Sequence, residues 1–444
     1  MKKTFSLVLA VAVASTMLAA CGGKTASDKP SEAGPNPAPT APKQDPIDLV
    51  FYDAGGDWPA ERFEREFGGP IKAKFPYITP KFVPYTNGSK MQDMITAGET
   101  PDIVFASTGL VSARFLQFEL QEDITPLVQK YKYDLTKLEP VVVEQMKQLA
   151  GGSGMYGMPI FLSPATNYYN KDLFDKFGVA YPKDGNTWDD LYDMSKKLTR
   201  SDGGVTYRGL FVSAQHLIRL NQFSLKTLDT TTNKASFSDE KWKTFFDNAT
   251  RFFTIPGYDM NANLTNVTNQ RNAFIKDRNV AMWLPVSTQH TAEELAGMNW
   301  DIASFPSFAG QPGVGPQPYP NALWLAKTSK HKDQAFQVMA YLATEEFQTP
   351  GVKRGEFLSA LKSDTLRKAF GQDAAMYKGK NIKAMLPEKF APGTPIGKYN
   401  SVSEGNLLTA FNNIILGKKD TNTALREAEE ASNKKVQEEL SKSK

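Results

Sequence analysis

Residues 47–105 read IDLVFYDAGGDWPAERFEREFGGPIKAKFPYITPKFVPYTNGSKMQDMITAGETPDIVF, and this stretch decides the fold. Ile47 to Tyr52 is a short apolar run bounded by Pro46 and the turn-forming Asp53-Ala54-Gly55-Gly56, which marks a buried strand. Trp58, Phe63 and Phe67 then recur at helix-compatible spacing. Lys81-Phe82-Val83 reads as a second strand. Ser89 to Ala97 places Met91, Met94 and Ile95 on one helical face, and Gly98 supplies the stop. Ile103-Val104-Phe105 reads as a third strand. Strand, helix, strand, helix, strand predicts an α/β sheet with helical crossovers. Ligands of such sheets sit beyond the carboxyl ends of the strands, here Asp53 to Trp58 and Ala106 to Gly109.

Further along, a second α/β region follows Tyr156. Ala165 to Asn170 reads as a strand, and Leu173 to Phe177 as a helix. Trp188 to Leu198 is a helix opened by Thr187 as its N-cap. Ala335 to Leu342 is amphipathic, and Thr421 to Leu440 is a long Ala/Glu/Lys helix with few large apolar residues. No internal repeat at solenoid period is present.

In the other direction, residues 22–46 are Gly, Ser, Pro, Ala and charge with no large apolar residue, the composition of a disordered tether. Before them stand cationic Lys2 and Lys3 and an apolar run from Phe5 to Leu18, too short for a spanning helix. Leu18-Ala19-Ala20-Cys21 resembles a bacterial lipobox. That resemblance implies a signal peptide over 1–20, cleavage before Cys21 and lipidation of its thiol. A segment over 21–46 would then link lipid to folded body, at the outer face of the cytoplasmic membrane. No later segment reaches about 18 uninterrupted apolar residues.

The chain of 444 residues carries 52 Lys and Arg against 48 Asp and Glu. An excess that small, and evenly spread, gives no nucleic-acid footprint. One cysteine excludes an intrachain disulfide framework and a Cys-based zinc site. His216, His290 and His331 have no metal-ligand spacing, so no metal and no cofactor is expected. Gly152 to Gly157 matches G-x-G-x-x-G, but a helix-like stretch precedes it and Met158-Pro159 follows. A dinucleotide site needs the opposite order, so the stretch reads as a connection. Acidic residues are plentiful, but nothing singles out a glycosidase pair. Trp58, Trp283, Trp300, Trp324 and Tyr319 lie near predicted strand ends or Gly/Pro-rich loops. Such aromatics fit either a core or the C–H faces of sugar rings.

Several stretches together resemble the signature of family 1 extracellular solute-binding proteins, the receptors of ABC importers. They are Tyr156-Gly157-Met158-Pro159, Asn167 to Phe174, and Pro182 with Thr187 to Leu191. In order with them come Gly98 to Val104, Ala273-Phe274 with Ala281-Met282, Phe305 to Pro312, and the C-terminal helix. The resemblance covers about residues 47–440. It implies a two-lobed α/β fold of the type II periplasmic-binding-protein kind, with ligand in the cleft. The first lobe would be 47–160 plus about 318–348, the second about 161–317 plus 349–444. Chain crossings would fall near Ile160 to Ala165, near Pro316 to Asn321 and near Glu345 to Arg354.

The resemblance further implies a monomeric, non-enzymatic receptor that takes a carbohydrate, an oligosaccharide by preference, and hands it to ABC permease subunits. The alternatives are a surface glycoside-active enzyme and a receptor for a non-sugar solute. Carried over position by position, the cleft loops hold Asp53, Asp57 and Trp58, then Ser107 and Thr108, in the first lobe. In the second they hold Gln215, His216, Ser287 and Glu404. Tyr319 and Asn321 fall at a crossing, and Trp283 and Trp324 are candidate stacking aromatics. Ala106 and Glu404 stand where the family often has aromatics. This favours a smaller, more polar or acidic-compatible ligand.

Overall fold

A computed structural model describes residues 45–55, 58–86, 90–287 and 293–442. The leader, Cys21, most of the tether, Asp57 and His290 lie outside the described residues. The chain from Pro46 to Lys444 forms one compact unit.

The strands occur in the order the apolar runs suggest. First come β1 (Ile47–Asp53), β2 (Ile78–Pro84), β3 (Ile103–Ser107) and β4 (Gly157–Leu162). Next are β5 (Asn167–Asn170), β6 (Arg200–Asp202), β7 (Val205–Val212), β8 (Val280–Leu284) and β9 (Trp300–Ala303). The last are β10 (Val314–Gly315), β11 (Pro320–Leu325), β12 (Leu358–Ser359) and β13 (Lys389–Phe390).

Two main sheets result. One has six strands in the order β12-β4-β11-β3-β1-β2, the other five in the order β6-β7-β8-β5-β9. In the first, β1 runs parallel to β2 and β3, as the strand–helix alternation predicts, while β11 returns antiparallel between β3 and β4. Both sheets are apolar where they are central. β4 and β8 are buried along their whole length, as strands covered on both faces must be.

The predicted helices form with small shifts. Trp188–Leu198 carries the expected cap: the Thr187 hydroxyl accepts from the Asp190 N–H at 3.2 Å, and the Asp190 carboxylate answers the Thr187 N–H at 2.7 Å. The helix read from Trp58, Phe63 and Phe67 runs from Ala60 to Lys74, with a π-helical turn at Glu64–Gly68. Such turns insert one extra residue and re-aim the side chains around it. The G-x-G-x-x-G stretch is a turn between the helix Pro140–Leu149 and β4.

The chain passes from β4 to β5 through residues 163–166 and returns from β9 to β11 through residues 304–319. The third passage differs from the expectation at Glu345 to Arg354. Helix Glu345–Lys353 is followed by β12, which pairs with β4 in the first sheet, so the chain leaves that sheet only after Ser359. The signal was faint because β12 is two residues long.

Candidate functional site

A cavity of about 850 Å³ lies between the ends of the two sheets. From the first sheet's side it is lined by Asp53, Trp58, Ser107 and Asn321, with Tyr319 just ahead of β11. From the second it is lined by Gln215, His216 and Ser287. Sequence reasoning named all of these, and the structure brings them together.

Their local geometry follows from strand ends and helix starts. Asp53 closes β1, and its buried carboxylate accepts the N–H of Gly55 at 2.9 Å and of Trp58 at 3.1 Å, which shapes the following loop. Trp58 packs on Phe67 and Phe105 with centroids 4.8 and 5.4 Å away, and the Arg62 guanidinium lies 4.3 Å over its ring. Ser107 ends β3, and its hydroxyl shares a 2.9 Å hydrogen bond with the Tyr319 hydroxyl. Asn321 donates to Ser163 Oγ at 2.7 Å.

Across the cleft, helix Ala214–Arg219 presents His216 and Arg219. The His216 ring meets Tyr319 edge-on at 5.7 Å, and its Nδ1 is 2.7 Å from Ser213 Oγ. Burial first, and then the positive charge of Arg219, hold its pKa down to about 3, so the ring is neutral at ordinary pH. Arg219 donates to Glu404 at 2.5 Å. Burial disfavours the Arg219 charge, but the Glu404 carboxylate and hydrogen bonds to Glu404 and Tyr319 outweigh it, raising its pKa.

Of the twelve predicted positions among the described residues, four are not on this cavity. Thr108 and Glu404 line a smaller cavity of about 20 Å³ behind Tyr319. Trp283 and Trp324 are a correction: both are fully buried in the sheets. Trp324 points into the layer beneath β3, where its Nε1–H donates to the Ala106 carbonyl at 2.9 Å. Trp283, on the middle strand β8 of the second sheet, packs on Phe274 at 5.5 Å. Their neighbouring loops made them look like rim residues, but a full strand position separates each from the cleft.

The cleft also holds residues that sequence reasoning did not single out. Arg62, Arg65 and Glu66 lie on the helical stretch after Trp58. Glu66 Oε1 accepts from Arg62 Nε at 3.0 Å and from Arg65 Nη2 at 2.7 Å, while its buried Oε2 has no partner among the described residues. Arg62 is four residues after Trp58 and Glu66 four after Arg62, so the helical period carried this signal. The stretch that leads into β12 adds Arg354 to Phe357, and the chain beyond the first sheet adds Asp373 to Tyr377. Arg354 forks onto Glu356 at 2.8 and 3.0 Å, and Phe357 stacks on Phe161 at 3.6 Å. Tyr377 is seated against Gly355 and Gly371, with φ of +72° and +70°; a Cβ on either would lie within 3.0 Å of its ring. No group of three or more His, Cys, Asp and Glu suited to a metal occurs among the described residues.

Two α/β lobes, a chain that passes between them three times and one cleft lined from both sides define a two-lobed solute-binding protein of the type II periplasmic fold. The chain belongs to the bacterial extracellular solute-binding protein family, whose family model matches residues 58–349. A binding protein of Brucella abortus (strain 2308) is 23% identical over 354 residues, covering 76% of this chain and 80% of the relative. Among solved structures, an ABC substrate-binding protein of Listeria monocytogenes in complex with cycloalternan has a TM-score of 0.70 at 19% identity, covering 88% of this chain and 99% of that one. The sugar-binding protein MalE of Xanthomonas citri has a TM-score of 0.68 at 16% identity, covering 88% and 98%. A Rhizobium etli sugar transporter protein in an open conformation gives 0.69 at 20%, covering 87% and 99%. Among the described residues no helix is long and apolar enough to cross a membrane.

Proposed function

We propose that this protein is a lipid-anchored receptor that captures a carbohydrate, an oligosaccharide by preference, by closing its lobes, and delivers it to an ABC permease without altering it. The observation that carries this reading is the composition of the cleft. Trp58, Phe161, Phe357 and Tyr377 offer apolar surface, and between them stand arginines, carboxylates, hydroxyls and an amide. That mixture matches a sugar, whose rings are apolar on their C–H faces and polar at their edges. A cavity of about 850 Å³ has room for several sugar rings.

The first lobe in this reading is residues 47–162 with 320–369, and the second is 167–303 with 377–442, following the sheets. A ligand that touches both favours the closed state by its differential affinity, and the passages absorb the rotation. Proteins of similar fold, one in complex with cycloalternan and one a sugar-binding protein, support the same reading. A glycoside-cleaving role finds less support. A general acid needs a carboxyl kept protonated, whereas Glu66 and Glu356 are paired with arginines and Asp53 accepts two N–H groups. Calorimetric titration against a panel of oligosaccharides, with recovery of the sugar afterwards, tests the proposal. One-to-one binding with unchanged sugar is expected; shortened products, or no binding across the panel, would overturn it.

A further inference from the structure

The cleft is rich in ionised side chains and poor in unbalanced charge. Four arginines line it: Arg62, Arg65, Arg219 and Arg354. Each already faces a carboxylate of the protein itself. Arg62 and Arg65 converge on Glu66, Arg354 forks onto Glu356, and Arg219 holds Glu404 at 2.5 Å. Of the other lining carboxylates, Asp53 is occupied by two backbone N–H groups, and Asp373 lies near enough to Arg354 to favour its charged form. Among the described residues no lysine lines the cavity.

We infer that the solute is an uncharged, polyhydroxylated carbohydrate, and that these internal pairs exclude charged sugars such as uronates and sugar phosphates. The inference rests on the carbohydrate reading above and narrows it. An anion entering the cleft must shed its hydration, and the cations that could compensate it are already engaged. Breaking an arginine away from its carboxylate would leave a second charge uncompensated. A hydroxyl group meets no such penalty. A guanidinium has five N–H donors, and no pair here uses more than two of them on its carboxylate. The carboxylates likewise keep spare lone pairs. The Arg354–Glu356 and Arg219–Glu404 pairs therefore present donors and acceptors side by side with almost no net charge, and one hydroxyl can accept from the arginine and donate to the acid. Arg62 and Arg65 share Glu66, and with Asp53 and Asp373 the described lining sets four arginines against four carboxylates. The acidic-compatible ligand suggested by Glu404 finds no free counter-charge here, because Glu404 is consumed by Arg219. Arg354 and Glu356 also lie outside residues 58–349, the stretch that the family model matches.

The test titrates the whole protein with neutral tetrasaccharides of glucose, xylose and galactose and with tetragalacturonate, at low and at high salt. A neutral sugar is expected to bind at least about tenfold more tightly than the uronate. Its affinity should change less than about twofold with salt, since no net charge is brought together. Glu356→Gln frees the Arg354 fork and should raise uronate affinity relative to neutral sugar at least about tenfold. Glu66→Gln should do the same through Arg62 and Arg65, and melting curves confirm that each variant is folded. Preferred binding of the uronate by the native protein, or an unchanged ratio in both folded variants, overturns the inference and leaves the carbohydrate reading standing. Binding of no sugar at all overturns both.

Discussion

The hydroxyl of Tyr319 lies 2.9 Å from Ser107 Oγ, and the same side chain favours the charged form of Arg219. One phenol thus joins the end of β3 in the first lobe to helix Ala214–Arg219 in the second. Tyr319 itself sits on the return passage, so it touches both halves and the link between them.

Tyr319→Phe removes that hydroxyl and little else. Ser107 loses a hydrogen-bond partner in a buried place, so unfolding in urea should show about 1–3 kcal/mol less stability. Sugar affinity should fall as well, because Tyr319 lines the cleft and its hydroxyl is lost to the ligand. A variant as stable as the parent would show that water replaces the phenol freely.

Glu404→Gln leaves Arg219 charged without its counter-ion. The two side chains are only 10% and 18% exposed, so the cost should approach the roughly 3–5 kcal/mol of a broken buried pair. Adding Arg219→Met should recover part of that loss. A double-mutant cycle with no coupling would place the pair among weak surface contacts.

His216 makes stability depend on pH in a defined window. Its folded pKa is about 3, set first by burial and then by Arg219, against 6.5 for an unperturbed histidine. Between those values the unfolded chain binds a proton that the folded chain refuses. Stability should therefore fall as pH drops below about 6.5, at up to about 1.4 kcal/mol per pH unit from this group. His216→Asn should flatten the decline between pH 6 and 4.5. Equal slopes in parent and variant would show that carboxylates alone govern it.

Tryptophan replacements should separate core from cleft. Trp283→Ala and Trp324→Ala should each cost about 3–5 kcal/mol of stability, as large cavities in a sheet core do. Trp58→Ala, at a partly exposed cleft position, should instead weaken sugar binding about tenfold with a smaller change in melting. Stable Trp283→Ala protein with lost binding would return that residue to the site.

Cys21→Ser tests the anchor that Leu18-Ala19-Ala20-Cys21 implies. The variant should appear in the medium or soluble envelope fraction in place of the membrane fraction. Continued membrane retention would contradict lipidation at this thiol.

The first sheet was legible because β1 and β3 are dense apolar runs punctuated by turn residues, and the helix at Thr187 carries its own cap. Asp53 and Ser107 were legible because strand ends are where such folds expose side chains, whereas His216 was reached only through the family resemblance. Trp283 and Trp324 were misjudged because a sequence shows that a tryptophan is near a strand end but not which layer it enters. Arg354, Glu356 and Tyr377 were missed for another reason. They flank a two-residue strand and lie near glycines at positive φ, where neither the period of two nor that of 3.6 appears. Arg219 and Glu404 are 185 residues apart in sequence, and only the packing of two helices makes them a pair.

Small-angle X-ray scattering, on the protein alone and then saturated with the neutral oligosaccharide that calorimetry selects, tests lobe closure most directly. A smaller radius of gyration at unchanged mass is expected when the sugar is bound. An identical scattering curve at saturation would contradict capture by closure.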